Sequence, residues 1–200
     1  FRSLPYRWRP LTWADPDDET QIYCNERAVA TQQTGFSFVA ELRNWLPDPI
    51  GGVLWFGVDN TLTTVYNPMY CGMQEIPEPY KVGNGDLLTY SPTSAFWTFS
   101  FVSNFSYLRH DSMIVDIQEV QNELETYYTS TIEATDRAAK VLYEKDKKLA
   151  VDYITNYSVA AGQNTVDRWK ELGNYLLVKY IDGNIKKEKN GKFERNPYGY

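Results

Sequence analysis

Few of the side chains that do covalent chemistry occur in this sequence, and none has a spacing that would set it to work. Two cysteines, Cys24 and Cys71, and one histidine, His110, are present. Neither cysteine belongs to a C-x-x-C pair or has a histidine at ligand distance along the chain, so no zinc or other metal site is expected. Spacing leaves open whether the two cysteines pair with each other. His110 falls between two helical patterns, with no serine or cysteine in an elbow or partner motif beside it, which suits a capping or exposed role. Glu75 and Glu78 lie in a proline-rich loop, and nothing sets them face to face across a substrate. The G-N-G at 83–85 lacks the spacing and the lysine of a phosphate loop, and "ADPDDET" lacks the frame and glycine of a calcium loop.

One polar row is left as a candidate. Arg27 precedes "AVATQQT", in which Thr31, Gln33 and Thr34 stand where a buried strand would show aliphatic residues. A guanidinium and an amide at the end of a strand can orient a carboxylate or polarise a carbonyl. A strand edge that merely touches water shows the same pattern.

Such residues need a scaffold, and the chain supplies strands first. Residues 27–33 alternate with period two, and Gly35 permits a bend before Phe36, Phe38, Ala40 and Leu42 alternate with Ser37, Val39 and Glu41. After the turn "NWLPDPIGG", the run "VLWFGV" reads as a strand buried on both faces. Pro68 in "TVYNPMYCG" places the next extended segment at a sheet edge or makes it irregular. Residues 74–90 form a loop.

Helices follow. Ser91 and Pro92 provide an N-cap hydroxyl and a first-turn proline, opening an aromatic helix expected to lie against the sheet. Met113, Ile117, Val120, Leu124, Tyr127, Thr131, Ala134, Ala138 and Val141 then form a heptad stripe on one long helix. Glu133 with Arg137, and Asp136 with Lys140, support its exposed side. Two more helices are expected, one stopped by Gly162 and one starting near Thr165 and stopped at Gly183. The plan is α+β.

Composition narrows the function classes. The 42% hydrophobic and 23% charged content of the 200 residues is that of a folded protein with a core. A net charge of −6 opposes nucleic-acid binding, and the segment "KKEKNGKFER" is too interrupted by glutamate to reverse it. No apolar run is long enough for a membrane span. The opening "FRSLPYRWRP" reads as the interior of something longer.

The blocks "TQQTGFSFVA", "GGVLWFGVDN" and "SAFWTFSFVSN" closely resemble the C-terminal half of the dipeptidase-A-like cysteine peptidases, N-terminal-nucleophile hydrolases related to penicillin V acylase and bile-salt hydrolase. The resemblance implies part of an αββα sandwich, with residues 1–183 forming the C-terminal portion of one domain and 184–200 a polar tail. It implies attack on a dipeptide carbonyl by an N-terminal cysteine whose own α-amino group is the base. That cysteine would lie upstream of Phe1, so the chain alone is expected to be inactive. Arg27 is then a supporting catalytic residue, since related hydrolases present an arginine near the nucleophile from this half. Gln33 and Thr34 are substrate contacts, and Trp55 and Phe56 belong to the core. No cofactor is implied. The partners are a small peptide and the N-terminal half of the same precursor, and a homo-oligomer is also allowed.

Two other readings fit the composition. The 16 tyrosines and 6 tryptophans could serve a carbohydrate-binding module, but they fall on helix stripes and alternating strand faces. A structural module pairing through the long heptad stripe is weakened by Thr131 and the two alanines.

Overall fold

The computed structural model describes residues 12–24 and 30–194. Strands β1 (Thr12–Ala14) and β2 (Ile22–Cys24) form a small antiparallel pair. The main sheet is antiparallel, in the order β3 (Phe36–Leu42), β4 (Gly52–Val58), β5 (Asn67–Tyr70), with the short helix α1 (Asp48–Gly51) between β3 and β4. Helices α2 (Ala95–Ser106), α3 (His110–Lys145) and α4 (Lys147–Tyr180) follow. The fold is α+β, strands before helices. A last hairpin, β6 (Lys187–Lys189) and β7 (Lys192–Glu194), closes the described chain within the segment expected to be a plain polar tail.

Four expectations are corrected. Residues 30–35 make a turn rather than continuing a strand, and β3 starts only at Phe36. The aromatic helix begins at Ala95, not at Ser91, because the Ser91 hydroxyl is engaged with Asn84 at 2.5 Å. It packs mainly along α4, where Phe99 stacks on the fully buried Trp169 with ring centroids 4.9 Å apart. The two expected later helices are one continuous α4 of 34 residues. Gly162 does not end it. There the helix is crossed by Pro77, whose Cγ would lie 2.6 Å from any Cβ added at that glycine.

The fourth correction concerns α3. Met113, Ile117, Val120 and Leu124 are buried as expected, but further along the buried residues are Tyr128, Ile132, Thr135, Asp136 and Ala139. A strict heptad holds one face only if helices supercoil, whereas an uncoiled helix drifts by about 20° per heptad. The seam therefore advances by one position, leaving Tyr127 and Val141 exposed. It also turns Asp136 inward, so only the Glu133–Arg137 pair forms on the surface, at 2.7 Å.

Antiparallel α3 and α4 meet through Asp146, whose carboxylate caps α4 by accepting the Lys148 N–H at 2.8 Å. Together they bury one face of β4 and β5 at Val53 and Tyr70, and leave Val39 of β3 57% exposed. Arg43, just beyond β3, is 6% exposed and forms a buried ion pair with Asp136 of α3. Its Nη2 donates to the Ile50 carbonyl at 2.9 Å, and the Tyr70 hydroxyl donates to the second Asp136 oxygen at 2.6 Å. One carboxylate thus joins β3, β5, α1 and α3. Burial holds the Asp136 carboxyl above its ordinary value, against the lowering effects of Tyr70 and Arg43.

On the opposite face too the exposure is at β3. Phe36, Phe38, Ala40 and Leu42 point to this face from β3, paired with Val58, Phe56, Leu54 and Gly52 of β4. Phe56 is partly sheltered by the edge of Tyr80. Phe36, Phe38 and Leu42 are 61%, 55% and 79% exposed, on a strand whose outer edge has no partner among the described residues.

Two measurements check this packing. Gly162→Ala will destabilise the protein by about 1–3 kcal/mol in urea denaturation, because the rigid Pro77 ring cannot yield. Gly173→Ala, where the added carbon meets the half-exposed Phe101 ring at 3.1 Å, the far end of a side chain with room to shift, will be neutral or stabilising by up to about 1 kcal/mol through helix propensity. Arg43→Met strands a buried carboxylate and will cost on the order of 3 kcal/mol at pH 7. Asp136 binds its proton more tightly folded than unfolded, so the loss will shrink as the pH is lowered through its raised folded value towards the unfolded one near 3.8. Denaturation at pH 7 and pH 4.5 reads the difference.

Candidate functional site

Of the polar row singled out in the sequence, Thr31, Gln33 and Thr34 lie at one corner of the main sheet, where β3 starts and β4 ends. Gln33 is exposed and Thr34 half-buried, both in the turn that precedes β3. The turn is closed locally. The Thr34 N–H donates to the Thr31 carbonyl at 3.1 Å, and the Thr31 N–H to Thr34 Oγ1 at 3.1 Å. These bonds explain why a Thr-Gln segment with strand-like alternation is no strand: its hydroxyls satisfy the backbone in place of a neighbour. Arg27 lies outside the described residues.

The turn is fastened to β4 by the Asp59 N–H, which donates to the Gly35 carbonyl at 2.8 Å. Asp59 is 5% exposed and Asn60 fully buried. Both sit directly beyond the apolar β4, where the chain reverses. The Asp59 carboxylate accepts from Ser100 Oγ at 3.1 Å and Ser103 Oγ at 2.5 Å, both on α2. Asn60 donates from Nδ2 to the Tyr107 hydroxyl at 3.1 Å and accepts the Leu62 N–H at 3.0 Å. Burial raises the Tyr107 phenol above its ordinary value, with the Asp59 charge acting the same way.

Sequence reasoning passed over Asp59 and Asn60. The available signal was an acid-amide pair ending an otherwise apolar strand, in "VLWFGVDN", which reads as turn chemistry. Only the folded arrangement shows the pair to be buried and tied to a helix some forty residues on.

Nearby polar groups extend the corner. Asn67 at the start of β5 is fully buried, with its Oδ1 accepting from the Tyr80 hydroxyl at 2.7 Å. Ser37 shares a 2.8 Å hydrogen bond with Tyr66. Trp55 and Phe56, expected in the core, are only half-buried. The Trp55 indole donates to Glu41 at 2.9 Å, and Phe56 stacks on Phe36.

The classical nucleophile and base candidates are elsewhere. Cys71, an exposed free thiol, lies just beyond β5. His110 opens α3, its Nε2 buried without a partner and its basicity lowered by burial. Among the described residues, no three His, Cys, Asp or Glu side chains come together as a metal site would need, and no helix is long and apolar enough to cross a membrane. Among the described residues the corner thus offers groups that can hydrogen-bond a polar ligand, and no assembled nucleophile.

The model of one protein family, Peptidase family C69, matches residues 7–123, a stretch that spans the turn, the main sheet, α2 and the first part of α3. No curated protein matches the chain. With more than half of its length so matched, the chain belongs to Peptidase family C69, and its activity class is that of a peptidase.

Proposed function

We propose that this chain is the C-terminal portion of a cysteine-type dipeptidase of the N-terminal-nucleophile kind, whose attacking thiol is carried by a segment upstream of Phe1. The observation that carries the proposal is the unfinished β3 side of the main sheet. On one face Val53 and Tyr70 are buried against Ile132 of α3 and Ile154 of α4, while Val39 of β3 stays 57% exposed. On the other Val58 is buried, while Phe36, Phe38 and Leu42 of β3 are exposed beside a strand edge with no partner among the described residues. An apolar sheet face is normally covered, and a second sheet packed about 10 Å away covers it in a sandwich. An N-terminal segment that supplied this sheet would also bring its own terminus close to the corner bearing Gln33 and Thr34.

In that arrangement the terminal α-amine, with an ordinary pKa of about 8, takes the cysteine proton. The thiolate attacks the peptide carbonyl, and the amine returns the proton to the departing amino group as the C–N bond breaks. Water then releases the acyl group from sulfur. Gln33 and Thr34 contact the dipeptide, and Arg27 supports the site by orienting its carboxylate or its developing oxyanion. The described residues favour this division of labour because they offer polar contacts without a nucleophile-base pair.

The test is to produce the protein with and without the residues encoded upstream of Phe1, and to follow dipeptide hydrolysis and alkylation by iodoacetamide. Hydrolysis is expected only from the longer form, with loss of activity tracking modification of a single N-terminal cysteine. Turnover by the 200-residue chain alone, with the adduct on Cys24 or Cys71, would overturn the proposal.

A further inference from the structure

The corner contains a conformation that the sheet itself does not require. Asp59 has φ of 67°, in the left-handed region that strains most side chains. A glycine there would adopt this φ freely and donate the same N–H to Gly35. The carboxylate, moreover, has to be desolvated, since Asp59 is 5% exposed. Among the described residues no cation pairs with it, and its bonds are the two from Ser100 and Ser103, one turn apart on α2. What the side chain adds is a two-point tether between the end of β4 and a helix locked into the core by the Phe99–Trp169 stack.

From this we infer that Asp59 is a positioning residue. Through its N–H it fixes the turn carrying Gln33 and Thr34, and through its carboxylate it fixes that turn relative to α2. The inference rests on the reading of Gln33 and Thr34 as substrate contacts. The β3–β4 pairing does not depend on the tether, because its ladder runs from Phe36–Val58 to Leu42–Gly52 without it. Loss of the carboxylate therefore loosens the corner while the sheet persists, and the effect falls on substrate binding.

The experiment is steady-state dipeptide hydrolysis by the complete enzyme, upstream segment included. Asp59→Gly is expected to raise KM about tenfold with kcat within about threefold of wild type, the pattern of a lost binding geometry. Asp59→Asn, which tolerates the left-handed region and still accepts from Ser103, should bring KM back to within about threefold of wild type. Ser103→Ala leaves residue 59 untouched and makes the same test if Asp59→Gly does not fold. An unchanged KM in Asp59→Gly and Ser103→Ala, in an enzyme where Gln33→Ala or Thr34→Ala raises KM, overturns the positioning role alone. If Gln33→Ala and Thr34→Ala also leave KM unchanged, the substrate-contact reading fails and the inference falls with it.

Discussion

A β-sheet has two faces, and where both are apolar both must be shielded from water. Everything distinctive here follows from the unequal way in which this chain meets that requirement. The α3–α4 hairpin packs on β4 and β5 and anchors them with a buried carboxylate that reaches two strands, a short helix and the guanidinium of Arg43. The outer strand β3 keeps Phe36, Phe38, Leu42 and Val39 in solvent. The polar corner lies at the junction between these surfaces, held from behind by α2 and open in front.

The buried Arg43–Asp136 pair holds several elements in register as well as joining two charges. Desolvating two charges often cancels their attraction. Here the guanidinium spends its remaining donors on the Ile50 and Gly51 carbonyls, so the same group that neutralises Asp136 also holds the turn between β3 and β4. Burial still holds the Asp136 carboxyl above its ordinary value, despite the guanidinium beside it.

Much of this was legible in the sequence. The period-two run from Phe36 to Leu42, the apolar "VLWFGV" and the edge position implied by Pro68 all reappear as strands in the expected order. Resemblance of the long blocks to known peptidases identified the family that the matched residues confirm. The errors have physical causes. Alternation over 30–35 imitated a strand because threonine hydroxyls can close a turn as easily as they can decorate a sheet. Gly162 imitated a helix stop because a glycine kept for the close passage of Pro77 looks the same in one dimension. The α3 stripe drifted because a seven-residue repeat and a 3.6-residue turn part company within a few turns. Of the corner, Gln33 and Thr34 stood out in the sequence as candidates, whereas the burial of Asp59 did not, since its partners are serines on a distant helix.

The one-residue connection at Asp146 has a kinetic consequence. Two long helices joined so tightly make their contacts at short range along the chain and lose little entropy in closing, so the hairpin can nucleate early. The outer margin of β3, without a partner among the described residues, is by contrast an open template carrying phenylalanine and leucine. A margin of this kind exposes the protein to self-association.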